Sequence, residues 1–226
     1  MTEIEYKIHI DHVIERIEAA RIKVDEHHIV KIVAVSKYST PEAIEALYNI
    51  GQRAFGENKV QDLKLKTETL DALPLEWHFI GNLQKNKINH LLSLNPFLFQ
   101  ALDSIELAHA LQKRLEAHDN MQLDALMQIN SAKEESKSGI APEMAKDLFD
   151  QIREECPNIS LKGVMSIGAH TNDKKIIQES FETTRKIYDS LTDVSLCSMG
   201  MSGDFEQAIA SGSNMVRLGS IMFPES

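Results

Sequence analysis

Apolar and polar positions along this chain switch between two periods: short apolar runs rich in β-branched residues, and longer stretches whose apolar positions recur every three to four residues. The clearest run, Ile32-Val-Ala-Val35, is apolar on both faces, as a parallel strand covered by helices must be, and stops at Ser36-Lys37-Tyr38. Ser39-Thr40-Pro41 then opens a helix to Ile50, with Glu42 in its first turn and Gly51 placed for a left-handed C-terminal turn. The same alternation predicts strands at 53–56, 75–80, 97–102, 123–129, 161–167, 194–199 and 215–218. It predicts helices over 59–70, 82–94, 105–117, 141–156, 174–191 and 205–210. Ahead of them, Ile10, Val13, Ile14, Ile17 and Val24 recur at helical spacing with Arg16, Glu18 and Arg21 on the other face, a leading helix laid across the body.

Eight strand-then-helix units in 226 residues, with no break in composition, predict one α/β domain over 1–226: a single closed (β/α)8 TIM-type barrel with an extra N-terminal helix. An open doubly wound sheet is the competing architecture. Against it, no strand runs into a Gly-x-Gly-x-x-Gly turn or a Gly-x-x-x-x-Gly-Lys-Ser/Thr phosphate loop.

Charge and composition narrow the function. A net charge of -10 repels phosphate backbones and anionic membrane surfaces, so neither nucleic acid nor membrane is an expected partner. No apolar run approaches membrane-spanning length, and the N-terminus is too charged for a secretory leader. The two cysteines, Cys156 and Cys197, form no Cys-x-x-Cys pair, and the nine histidines show no His-Glu-x-x-His spacing. The expectation is a cytoplasmic monomer with reduced thiols and no metal.

In a barrel, Lys37, Asn58, Gly81, Asp103, Asn130, Gly168, Ser202 and Gly219-Ser220 all fall on the carboxyl rim of the strands, where such folds place their ligands. Gly200-Met-Ser-Gly203 puts a hydroxyl and free backbone N–H groups after the seventh strand, and Arg217-Leu-Gly-Ser220 brings a guanidinium and small residues to the eighth. Taken singly these are tight turns. Together they form the usual phosphate site of a barrel. A phosphate grip sharing a rim with Lys37 fits an aldehyde ligand with a phosphate handle, and pyridoxal 5′-phosphate answers that description.

The chain at this point resembles the pyridoxal phosphate homeostasis family, small proteins similar to the N-terminal barrel of alanine racemases. The matching segments are Ala34-Val-Ser-Lys37, Phe55-Gly-Glu-Asn58, Trp77-His-Phe-Ile-Gly81, Leu83-Gln84, Asn86-Lys87, Gln128-Ile-Asn130, Lys137-Ser-Gly139, Gly163-Val-Met165, Ser198-Met-Gly-Met-Ser202 and Met215-Val-Arg-Leu-Gly219. The resemblance implies that Lys37 holds pyridoxal 5′-phosphate as a Schiff base, that Ser202, Gly219 and Ser220 hold the phosphate, and that Arg217 faces the pyridine nitrogen. Asn58 and His78 would line the pocket, although His78, between Trp77 and Phe79, also reads as a hydrogen-bonded core residue. The family commonly continues with Phe-Gly and a basic residue after the eighth strand. Here the chain reads Met222-Phe-Pro-Glu-Ser226, a departure that bears on any closing contact of the tail.

The implied function is a carrier for intracellular vitamin B6 and amino-acid homeostasis without robust catalysis, with apo-enzymes that use the cofactor as acceptors. A racemase needs a second acid/base on the face opposite the lysine, and in alanine racemases that tyrosine belongs to an additional β domain, which is expected to be missing here because the chain stops after the eighth strand. Tyr38, next to Lys37 in an extended segment, is expected to point to the other side. Two other readings stand beside the carrier: an amino-acid racemase or Schiff-base lyase acting on the barrel alone, and a regulatory module whose acidic surface meets a protein. Lys137, in the polar loop 131–139 of the same rim, is a second lysine placed to take the cofactor during hand-over.

Overall fold

The computed structural model describes residues 3–118, 121–134 and 138–223. The strands are β1 (Lys31–Val35), β2 (Ala54–Glu57), β3 (Glu76–Phe79), β4 (Leu98–Leu102), β5 (Leu123–Ile129), β6 (Ile159–Ser166), β7 (Leu196–Ser198) and β8 (Met215–Leu218). Each pairs in parallel with the next, and β8 returns to β1 through Lys31↔Met215, Ile32↔Val216, Val33↔Arg217 and Ala34↔Leu218, which closes the barrel. Closure leaves no edge to protect, and it buries both faces of the sheet. This is why a strand such as Ile32–Val35 of β1 is apolar on both faces in sequence.

Between them lie α2 (Pro41–Asn49), α3 (Val60–Thr69), α4 (Ile88–Leu92), α5 (Ile105–Ala117), α6 (Ala145–Glu155), α7 (Lys174–Ser190) and α8 (Phe205–Ala210), with α1 (Glu3–Arg21) ahead of β1. The caps follow their residue types: Thr40 and Ser104 accept from the Ala43 and Leu107 N–H groups, and Asp173 accepts from Lys175. Gly51 takes the left-handed conformation, φ 110°, just beyond α2. The helices expected from 82 and from 141 each begin as a 3₁₀ turn, Lys85–Lys87 and Pro142–Met144, so their α-helical parts are shorter than the apolar spacing indicates.

The buried face of α1 is Tyr6, Ile10, Val13, Ile17 and Ala20, spaced four, three, four and three residues apart. Ile14 and Val24, expected on that stripe, are 41% exposed: Ile14 lies off it and Val24 follows the end of the helix. The helix packs on α8 and α2, and Arg16 ties it to Glu206 at 2.7 Å. Past β8, Met222 and Phe223 fold back into the core, with both N–H groups donating to the Gly219 carbonyl. The rest of the tail, 224–226, lies outside the described residues.

Candidate functional site

The Lys37 position is set by a turn. After β1, the Ser39 N–H donates to the Ser36 carbonyl at 2.8 Å, so Ser36 to Ser39 double back instead of continuing the strand. This overturns the expectation that Lys37 and Tyr38 point to opposite sides: Lys37 Nζ lies 4.9 Å from the centre of the Tyr38 ring, a cation–π contact. Among the described residues Lys37 makes no hydrogen bond or ion pair, and it lines a cavity at the rim.

Behind this turn sits a buried charge cluster. Lys66 of α3 donates to the Ser36 carbonyl at 2.6 Å and to Glu57 Oε1 at 2.7 Å, and the Ser36 hydroxyl donates to the same Oε1 at 2.6 Å. Ser36 and Glu57 directly precede Lys37 and Asn58. One lysine thus pins the exits of two neighbouring strands. The next exit meets them at Gly81, where a Cβ would run into the Asn58 carbonyl oxygen, so only glycine lets these two rim loops come together.

On the other side, the loops after β7 and β8 are joined by Ser202. Its Oγ accepts from the Gly219 N–H at 3.1 Å and from the Ile221 N–H at 3.4 Å, which leaves the hydroxyl hydrogen for a ligand. A Cβ at Gly203 would meet nothing within 4 Å, and one at Gly219 would meet only Val35 at 3.7 Å or beyond. The backbone of these loops is open to close approach by an anion.

Arg217 runs into the barrel interior just below. Its Nη1 donates to the Ser198 carbonyl at 2.9 Å and to Ser198 Oγ at 2.8 Å, while Nη2 donates to the Ser166 carbonyl at 2.8 Å. Nε and one Nη2 hydrogen remain for the cavity. Burial pulls the guanidinium down to about 10, against an opposing pull from Asp204, so it keeps its charge at neutral pH.

Lys37, Asn58, Ser202, Arg217, Gly219 and Ser220 all line one cavity of about 860 Å³, within the usual range for small-molecule sites. His78 does not. It lies deeper in the bore, fully buried, with Nδ1 2.8 Å from Gln100 Nε2 and its ring 5.5 Å from that of Phe97. Side chains alternate along β3, and it is Ile80, two residues on, that reaches the cavity. Burial, with the nearby Lys31 charge, lowers the His78 pKa to about 3, so it is a neutral core histidine at any ordinary pH. Sequence reasoning missed the apolar wall of Ile80, Met165 and Ile167, and missed Lys59 and Asn82 at the mouth. The signal was present for the last two, since each follows a rim residue already singled out. Lys137 lies outside the described residues.

Residues 8–226 match the family of the alanine racemase N-terminal domain. A pyridoxal phosphate homeostasis protein of Helicobacter pylori is 56% identical over 222 residues, covering 98% of this chain and all of the relative. The chain belongs to the pyridoxal phosphate homeostasis protein family. Among solved structures, an unknown protein from Bifidobacterium adolescentis superposes with a TM-score of 0.92 at 32% identity, over 98% of this chain and 95% of that one. PipY of Synechococcus elongatus, solved with pyridoxal phosphate bound, superposes with a TM-score of 0.78 at 28% identity, over 92% of this chain and 98% of that one.

Proposed function

We propose that this protein binds pyridoxal 5′-phosphate in the rim cavity and serves as a carrier in vitamin B6 and amino-acid homeostasis. The observation that carries the reading is a free lysine amine and an open backbone cradle sharing one cavity with a buried arginine that has N–H donors to spare. The cofactor supplies an electrophilic aldehyde and an electron-withdrawing ring. Lys37, whose amine has no hydrogen-bond partner among the described residues, would hold that aldehyde through Nζ. Ser202 would donate its hydroxyl hydrogen to the phosphate and the Gly203 and Ser220 N–H groups would complete the grip, while the Gly219 N–H, held by Ser202 Oγ, fixes the loop beside them, with no lysine between 200 and 220. Arg217 would offer its remaining charged N–H donors to the ring nitrogen and so disfavour protonation there. Asn58 and the apolar residues Ile80 and Met165 wall the ring. The relatives' names support the homeostasis role, and the buried free thiols Cys156 and Cys197 accord with a reducing, cytoplasmic location. Apo-enzymes as acceptors and a monomeric state complete the proposal.

Tyr38, pressed against Lys37, occupies the lysine's side of the cavity and does not supply the opposing acid/base that racemisation needs. Purified protein is expected to be yellow, to lose the colour on borohydride reduction, and to carry the reduced cofactor on Lys37 by mass mapping. Reduction that labels a different lysine at full occupancy overturns the assignment. Exchange of an amino acid's α-proton in deuterated water is expected to be far slower than about 1 per second. Faster exchange would replace the carrier by the racemase or lyase reading.

A further inference from the structure

Arg217 is the upper end of a polar string that crosses the barrel bore. Its Nη1 donates to Ser198 Oγ at 2.8 Å, Ser198 Oγ lies 2.8 Å from Gln100 Oε1, and Gln100 Nε2 lies 2.8 Å from His78 Nδ1. Four strands contribute: β8, β7, β4 and β3. All four side chains are at least 96% buried.

The direction of every bond in the string follows from its charged end. A guanidinium only donates, so Ser198 Oγ accepts from it and must send its single hydrogen to Gln100 Oε1. That sets the Gln100 amide with Nε2 toward His78, so Nδ1 of His78 is the acceptor and the ring proton sits on Nε2. A doubly protonated His78 would set N–H against N–H, in accord with its resistance to protonation. His78 Nε2 has no partner among the described residues. The string thus ends on an unsatisfied donor, a cost that satisfying Arg217 alone does not require. The Ser198 and Ser166 carbonyls already accept from the guanidinium. Apolar residues at 78 and 100 would fill this bore and leave only the Ser198 hydroxyl hydrogen to pair.

We propose that Gln100 and His78 are positioning residues for Arg217, holding Ser198 in the one hydroxyl rotamer that aims the guanidinium at the cavity. The inference rests on the reading that Arg217 meets the ring nitrogen of the cofactor. Without Gln100, the Ser198 hydroxyl is free to turn its hydrogen elsewhere and its lone pair away from Nη1, and the guanidinium plane loses one of its fixed points.

The test uses pyridoxal 5′-phosphate labelled with ¹⁵N in the ring and bound to the full chain, reading the nitrogen chemical shift. The unmodified protein should show an unprotonated, hydrogen-bonded ring nitrogen, and Arg217→Ala should move the signal toward that of a free pyridine. Gln100→Leu should move it the same way, weaken binding roughly tenfold, and add no further shift or loss when combined with Arg217→Ala. In the cofactor-free protein, ¹⁵N-histidine spectra should show His78 protonated at Nε2 alone. If Gln100→Leu does not fold, Gln100→Met, which keeps length and volume, or Ser198→Ala takes its place with the same expected outcome. An unmoved ring signal in a folded Gln100 variant, when Arg217→Ala does move it, overturns the positioning role. Additive losses in the double variant overturn it too. An unmoved signal in Arg217→Ala instead refutes the assignment of Arg217 to the ring.

Discussion

The Ser202 hydroxyl oxygen is taken up by two backbone donors, Gly219 and Ile221, so the hydrogen it carries is all that is left of it for a phosphate. Ser202→Ala removes that hydrogen and also releases two loop N–H groups. It is expected to weaken pyridoxal 5′-phosphate binding by about 1–2 kcal/mol, the scale of one hydrogen bond to a charged group. Pyridoxal without its phosphate should bind far more weakly, and equal affinities in a fluorescence titration would show the loop pair to be structural only. At this scale the lining of the cavity was legible where a residue stands at a strand exit or in a tight turn: Lys37 after β1, Ser202 between glycines. It was not legible for His78, because β3 sends His78 to the layer beneath while Ile80, one residue past the strand, reaches the cavity. Which member of an alternating strand reaches the rim depends on how far the barrel wall extends past it.

The buried pair Lys66–Glu57 acts between elements, fastening α3 to the exits of β1 and β2. Breaking such a pair strands a charge in the core, and Lys66→Met is expected to lower stability by about 3–5 kcal/mol. Lys66→Met combined with Glu57→Leu should recover most of that stability in urea unfolding, since it removes both charges at once. Cofactor binding should stay weakened in the double variant, because nothing then holds the Ser36 carbonyl beside Lys37. Restored stability together with restored binding would show the pair to be only a packing feature. No sequence pattern announced this pair. Lys66 reads as one more solvated charge on a polar helix, and only the docking of α3 turns it inward. Element positions, by contrast, were legible to within a few residues, because the apolar runs and their Thr40, Ser104 and Asp173 caps are local signals.

Across the whole molecule, His78 links stability to pH. Its folded pKa is lowered from 6.5 to about 3, chiefly by burial, with Lys31 adding to the effect across the barrel floor, where Glu76 is paired with that lysine. The unfolded chain takes up a proton near pH 6.5 that the folded protein refuses until about pH 3, so below pH 6.5 the unfolded state is favoured progressively. Stability is expected to fall by up to about 1.4 kcal/mol per pH unit through that window. His78→Leu should flatten the slope; an unchanged slope in urea unfolding at pH 5 and 7 would assign acid lability to other groups. No described helix is long and apolar enough to cross a membrane, in keeping with the polar, acidic composition. By itself the sequence determined the count and order of strands, the closed barrel, the rim on which chemistry collects and the family, because these follow from local periodicity, capping and short motifs. Tertiary structure alone decided that Lys37 rests on Tyr38, that Lys66 is buried, and that His78 stands beneath Arg217 instead of lining the cavity. Those facts depend on the turn after β1, the docking of α3 and the alternation inside a closed bore. Each sets side chains far apart in the chain against one another, and local pattern carries no record of such distances.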